Sequence, residues 1–156
     1  MYSHEILRSL KNIAAVNPMA SALGTAGLAD PTAGIQHGAK ASPETVRPFA
    51  LLNVEKVEEQ PNTSGVILAT YLVTLQVIAD RTPGLVGDIL VAFHRYWDRI
   101  ANLETLDPGS EGRARFIQIY PGETDIGEAE QEDRGQDVIL GTTTWTVQLS
   151  EHQPEL

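Results

Sequence analysis

Four segments of the chain alternate apolar and polar residues with a period of two, which is typical of β-strands that bury one face. They span residues 48–59, 66–79, 113–121 and 136–150. The clearest apolar faces belong to the second and fourth segments, with Ile67, Ala69, Tyr71, Val73, Leu75 and Val77 in one and Ile139, Trp145, Val147 and Leu149 in the other. In the first segment Leu52 and Val54 share a side, and in the fourth Gly141 marks a possible bulge or bend. The first two segments, joined by a short polar loop, predict an antiparallel hairpin.

Two other segments place apolar residues three and four positions apart, which predicts amphipathic helices. The first helix spans about residues 4–16, with Ser3 as its N-cap, and should end at Asn17-Pro18 because proline disfavours helical geometry in the residue before it. The second follows the break at residues 80–84. Its apolar face consists of Val86, Ile89, Leu90, Phe93, Trp97, Ile100 and Leu103. One side of this helix should lie on the sheet.

Residues 17–47 are rich in small residues and proline and contain few large apolar side chains. Such a segment buries too little surface to offset the entropy of ordering itself, so we predict a flexible arm or linker in an isolated subunit. It is either a mobile linker or an arm that a neighbouring subunit orders. The predicted organisation is an N-terminal helix (1–16), this arm (17–47), a core domain (48–151) and a short tail (152–156). The fold class is α+β, with a ββαββ core whose mainly antiparallel four-stranded sheet packs on one amphipathic helix.

The amino-acid composition limits the classes of function that we expect for this chain. The 156 residues include 42% hydrophobic residues and carry a formal net charge of −10 with only 11 Lys and Arg, so tight DNA binding is not expected, although an acidic surface suits a conduit through which DNA slides. The absence of cysteine excludes disulfides, thiolate metal sites and a Cys nucleophile. The N-terminal residues lack the apolar core of a secretory signal, and the most apolar run is too short for a membrane helix, so neither export nor membrane insertion is predicted.

No pattern of catalytic residues stands out. Residues 122–135 are acidic, but their spacing matches a calcium-binding loop only in part, and we predict a solvated hairpin loop. The histidines at positions 4, 37, 94 and 152 are too scattered to pair on one metal ion. Phosphate-binding, dinucleotide-binding and nucleophile-elbow motifs are also missing from the sequence. We therefore predict no enzyme, with no catalytic, cofactor-binding or metal-binding residues, and we expect Trp97 and Trp145 to pack in the core.

The order of elements resembles that of the tail-completion or tail-terminator proteins of tailed bacteriophages. The resemblance covers about residues 48–151 and is carried by the strand ATYLVTLQVIAD, the helix GLVGDILVAFHRYW and the strand LGTTTWTVQLSE. It implies a virion structural protein, assembled in the host cytoplasm, that forms a homo-oligomeric ring, typically a hexamer, at the head-proximal end of the tail. The implied partners are further copies of the chain, the tail-tube protein and a neck or head-completion protein, with DNA passing through the ring.

Three alternatives stay open. Residues 17–47 are longer than the family suggests, which leaves room for another neck, head–tail connector or tail-adaptor role. A small α+β enzyme or ligand-binding domain would need a pocket between sheet and helix. A cellular adaptor would bind a basic partner through its acidic surface, with Glu128, Glu130, Glu132 and Asp133 as the contacts.

Overall fold

The computed structural model describes residues 3–28, 35–37, 48–61, 65–80, 83–97, 114–129 and 138–152. The helices are α1 (Ser3–Ala14), α2 (Met19–Ala26) and α3 (Pro83–Trp97), and the strands are β1 (Ile35–His37), β2 (Phe49–Pro61), β3 (Val66–Asp80), β4 (Ala114–Ala129) and β5 (Val138–His152). The strands form one sheet in the order β1-β2-β3-β5-β4. The four long strands are antiparallel, and the three-residue β1 adds a parallel edge to β2. The predicted α+β class and the antiparallel four-stranded core are confirmed.

The centre of the sheet is the pair β3 and β5, which are matched residue by residue from Val66 opposite His152 to Asp80 opposite Val138. Both strands alternate strictly between buried and half-buried or exposed residues over most of their length. The predicted apolar faces are confirmed, except that Ile67 at the end of β3 is only half-buried. The buried apolar side chains of these strands are Ala69, Tyr71, Val73, Leu75, Val77, Ala79, Ile139, Trp145, Val147 and Leu149. We call this side of the sheet the inner face.

Helix α3 packs on the inner face of the sheet. The side chains that make this contact are those whose three- and four-residue spacing predicted the apolar side of the helix. Val86, Ile89, Phe93 and Trp97 are fully buried, and Trp97 and Trp145 meet edge to face with ring centroids 5.1 Å apart. The expectation that both tryptophans pack in the core is confirmed. The described part of α3 ends at Trp97, and the predicted continuation through residues 100 and 103 lies outside the described residues.

Gly141 does not form the bulge that the sequence suggested as one possibility, because β5 keeps a regular register with β3 there. It allows α3 to approach the strand closely. A Cβ atom at this position would collide with Val86 and lie 2.9 Å from Leu90 Cδ1. The missing side chain therefore lets the helix backbone sit close to the sheet.

The first part of the predicted flexible arm is ordered, which corrects that prediction for residues 19–28. Helix α2 begins one residue after the cis Asn17-Pro18 bond, and Met19, Leu23 and Leu28 are buried in the common core. Gly27 closes the helix in the left-handed conformation (φ 113°), and the Leu28 amide donates to the Leu23 carbonyl (2.8 Å). Few large side chains suffice here because α2 packs on α3. Apart from β1, the rest of segment 29–47 lies outside the described residues.

Strand β4 is longer than predicted. The prediction of a solvated hairpin loop at residues 122–135 is therefore wrong for the part that the strand occupies. The strand runs to Ala129 and pairs with β5 across two irregularities, between Phe116 and Gln118 and between Pro121 and Thr124. Residues 121–127 are exposed. Main-chain pairing with β5 does not require an apolar side-chain pattern. The acidic sequence of this segment therefore gave no sign that it forms a strand. Residues 130–137 lie outside the described part of the chain.

Substituting Gly141→Ala should lower the free energy of unfolding by about 1–3 kcal/mol, because Val86 is branched at Cβ and cannot move aside without shifting α3. Gly127→Ala is the matched control, since nothing lies within 4 Å of a Cβ atom there. The control should change stability by no more than about 1 kcal/mol. Urea denaturation followed by tryptophan fluorescence measures both. Equal effects of the two substitutions would contradict close packing at Gly141.

Candidate functional site

The four long strands have a second face, opposite the core, and we call it the outer face. The buried side chains of all three helices belong to one cluster with the inner face. Between the strand ends, at positions 68–78 and 140–150, the outer face of the two central strands consists of Leu68, Thr70, Leu72, Thr74, Gln76 and Ile78 of β3 and Leu140, Thr142, Thr144, Thr146, Gln148 and Ser150 of β5. Leu68 is 40% exposed and the others are half-buried.

None of these side chains is charged, although the chain as a whole carries a net charge of −10. Cross-strand pairs such as Thr74 with Thr144 and Thr70 with Gln148 present hydroxyl and amide groups in rows. Phe49 and Leu51 of β2, opposite Ile78 and Gln76, lie on the same side and are only 4% exposed, so the outer face is already covered within the subunit at this corner. The centre of the outer face is therefore a neutral surface that can donate and accept hydrogen bonds.

Carboxylates border this neutral centre on both sides. On β2, Glu55 lies opposite Leu72 and Glu58 opposite Thr70, and on β4 Asp125 lies opposite Thr142. All three carboxylates are exposed. An uncharged centre inside a charged, hydrated rim is the composition of protein–protein interfaces, which are depleted of charge at their core.

A buried carboxylate lies on the inner face, where sequence reasoning placed only apolar residues. Glu151 is 5% exposed, accepts a hydrogen bond from the Tyr71 hydroxyl, and has Oε2 4.0 Å from Lys56 Nζ. Lys56 also contacts Glu59 and lies 5.9 Å from the centroid of the Tyr71 ring. A buried carboxylate needs such partners because its desolvation is costly. The signal in the sequence was the position of Glu151 in phase with Val147 and Leu149.

A second polar cluster joins α3, β4 and β5. His94 Nε2 lies 2.9 Å from Thr143 Oγ1 and 3.2 Å from Thr124 Oγ1, and the two hydroxyl oxygens are 2.8 Å apart. The His94 ring packs on Trp145 with centroids 4.7 Å apart, and Thr143 is fully buried. Sequence analysis considered His94 only as one of four scattered histidines and named no role for Thr143, so it missed this contact.

An imidazole beside a hydroxyl is also the first element of a nucleophile and its base. Here one nitrogen is shared by two hydroxyls, one of them fully buried. Thr124 and Thr143 also lie directly opposite each other across β4 and β5. The cluster therefore links the second half of β4, which contains Thr124, to α3 and to β5 through side-chain hydrogen bonds.

The remaining candidates are dispersed. His4, His37 and His152 belong to α1, β1 and β5, and their side chains lie outside the described residues. Glu123 and Asp125 are exposed on β4. Across the described ranges no group of three or more potential ligand side chains could hold a metal ion. No helix in the described part of the chain has the length and apolarity needed to cross a bilayer.

Thr143→Val should lower the free energy of unfolding by about 1–2 kcal/mol, because His94 and Thr124 lose a buried hydrogen-bonding partner while the side-chain volume is kept. Thr142→Val, one residue earlier and on the outer face, should change it by less than about 0.5 kcal/mol. Thermal and urea unfolding of both variants provides the comparison. A Thr143 variant as stable as the Thr142 variant would show that the cluster contributes nothing.

Comparison with models of known protein families and with curated protein sequences finds no match to this chain. Function therefore has to be argued from the surfaces of the molecule. The outer face is the strongest of them because of its size, its neutrality and its acidic border.

Proposed function

We propose that this protein is a structural component of a tailed bacteriophage virion, forming a homo-oligomeric ring at the head-proximal end of the tail that terminates the tail tube and joins it to the neck. The observation that carries the proposal is the uncharged outer face with its carboxylate rim, on an α+β chain whose element order resembles that of tail-terminator proteins. A protein that works by assembly needs a neutral surface of this kind, whereas an enzyme needs convergent polar groups in a pocket.

The size of the outer face suits a stable interface. Ten residue steps along β3 and the width of four strands give roughly 33 by 19 Å, from about 3.3 Å per residue and about 4.8 Å between strands. The resulting area of roughly 600 Å² approaches the ~800 Å² that each partner contributes to a standard protein interface. One subunit-to-subunit contact could use the part of this face that lies beyond Phe49 and Leu51, which are already buried.

The charge distribution favours a ring over a symmetric dimer. Two outer faces packed on each other can bring the carboxylates Glu55, Glu58 and Asp125 of both copies together, and like charges in an interface oppose association. A contact between two different surfaces avoids this, and contacts of that type close into rings when the rotation permits. The acidic character of the chain also suits a ring through which DNA passes without adhering.

A concentration series measured by size-exclusion chromatography with light scattering should show one discrete ring-sized species, such as a hexamer. Electron microscopy of the protein mixed with tail tubes should show rings at the tube ends. A chain that stays monomeric at every concentration and binds no tube would overturn the proposal. An ionic-strength series on the same samples serves as a control for non-specific aggregation, because a specific ring keeps one stoichiometry while aggregates grow.

The second candidate function is a connector or adaptor at another position in the same region of the virion. The two candidates differ in the virion protein that the ring binds. A ring that binds a neck or head-completion protein but ignores tail tubes would be a connector or adaptor. Pull-down of each component by the purified ring, with the other as competitor, distinguishes these positions.

A further inference from the structure

We infer that the exposed side of α3 is a second interaction surface, which pairs with the same surface of another copy of the chain across a two-fold axis. The surface consists of Gly84, Asp88, Val91 and Arg95, and we call it the α3 stripe. The inference goes beyond the proposed function and does not rest on it, since a two-fold contact can join free subunits as well as assembled ones.

The α3 stripe lies on the side of the helix that faces away from the sheet. Its four residues are exposed, and their spacing of four, three and four positions places them along one line of the helix surface. The opposite side of α3 carries the buried residues that pack on the inner face. Leu85 and Tyr96, on the flank of the helix, are half-buried and pack against the core. The stripe is therefore the part of α3 that a neighbouring molecule can reach.

An apolar residue lies at the middle of the stripe. Val91 is 65% exposed, the largest value among the exposed large hydrophobic side chains of the described residues. Near the start of the helix, Gly84 and Gly87 leave open space where a Cβ atom would lie. A second helix can approach closely where side chains are absent. Such an approach would remove the apolar surface of Val91 from water.

The two charged residues of the stripe have opposite signs and flank Val91. Asp88 lies three residues before it and Arg95 four residues after it. Seven residues of helix separate the two charges by about 10.5 Å along the axis, which is too far for an ion pair between them. Neither forms a salt bridge with another of the described residues. The Arg95 guanidinium lies over the Tyr96 ring, 5.6 Å from its centroid, and a guanidinium in such a contact can still donate to a carboxylate.

A two-fold axis beside Val91 makes this pattern complementary to itself. When two α3 helices pack antiparallel about that axis, Asp88 of each copy lies opposite Arg95 of the other. The two Val91 side chains then meet between two ion pairs. A parallel arrangement would bring like charges together, which opposes association. Packed helices have axes about 8–10 Å apart, a distance that Asp and Arg side chains can bridge. Two-fold contacts of this kind are the commonest in homo-oligomers.

The contact is small, so we expect a weak and reversible pair. The stripe is about 16 Å long and one helix about 10 Å wide, which gives much less than the ~800 Å² that each partner contributes to a standard interface. Helix α2, which packs beside α3, exposes only the uncharged residues Ser21, Gly24 and Thr25. It therefore adds no charge that would oppose the pairing.

The absence of cysteine from the chain allows a test by cross-linking. Val91→Cys should form a disulfide-linked pair under mild oxidation, because a residue meets its own counterpart only beside a two-fold axis. Val57→Cys is the matched control, since Val57 is 53% exposed but lies on β2. It should cross-link about 10-fold more slowly, through random collisions alone. Non-reducing electrophoresis of the full chain measures both rates, and equal rates would overturn the inference.

Charge reversal tests the pairing of Asp88 with Arg95. Asp88→Arg gives a stripe with two positive charges, and Arg95→Asp gives one with two negative charges. Each variant alone should pair about 10-fold more weakly than the wild type, whereas an equimolar mixture of the two should regain wild-type pairing, because every Arg again faces an Asp. Glu123→Arg, an exposed residue of β4, is the control and should leave pairing unchanged. Sedimentation velocity over a concentration series measures the association, and circular dichroism verifies that each variant is folded.

A mixture that pairs no better than either variant alone would overturn the two-fold arrangement. A chain that cross-links at position 91 but forms no ring, free or on tail tubes, would keep this inference and overturn the proposed function. A ring whose subunits do not cross-link at position 91 would overturn the inference and leave the proposed function intact.

Discussion

The pairing of β3 with β5 is the interaction on which the other features of the structure depend. Fifteen consecutive residues of β3 lie opposite fifteen of β5 without a register shift. Because side chains alternate across a strand, one uninterrupted register keeps the buried, mainly apolar residues on one side and the half-buried threonines, glutamines and leucines on the other. A slip of one residue would exchange the two faces, so the hydrophobic core and the neutral outer face are two consequences of the same pairing.

Helix α3 packs on the inner side of this pair and approaches β5 most closely at Gly141. Gly141 admits Val86 and Leu90, and from there the aromatic contacts Phe93–Trp97 and Trp97–Trp145 continue along the helix. Glu151 and His94 are polar residues that enter this core, and both have hydrogen-bonding partners there. Thr143 and Thr124 extend the same packing to β4, so that an edge strand with exposed acidic residues is held by the core as well as by its main-chain bonds.

The exposed edges and the exposed face carry different chemistry, and that difference guides the functional proposal. Strand β4 has irregular pairing, Pro121 and carboxylates, which are features that hinder uncontrolled strand addition. Beyond the residues that pair with β1 in the described structure, strand β2 carries the exposed carboxylates Glu55, Glu58 and Glu59. The central outer face has neither charge nor irregularity. This arrangement supports the proposal that the chain assembles through the face, with the edges kept apart by charge.

The sequence by itself determined the elements whose signal is local. The alternation in β3 and β5 and the helical spacing in α3 are set by residues close together in the chain, so strand, helix and buried face could all be assigned before the structure was known. Helix α1 was assigned in the same way, with an end misjudged by two residues. The resemblance to tail-terminator proteins rested on the order of these same elements.

Only the tertiary structure decided the features that depend on a distant partner. Helix α2 is short of apolar residues and is stabilised because α3 lies beside it, and the second half of β4 is a strand because β5 pairs with it. Glu151 is tolerated in the core because Tyr71, 80 residues away, donates to it. The role of Gly141 required the position of α3. In each case the stabilising contact joins residues that are far apart in the chain. The spacing of residues within one segment therefore does not predict it.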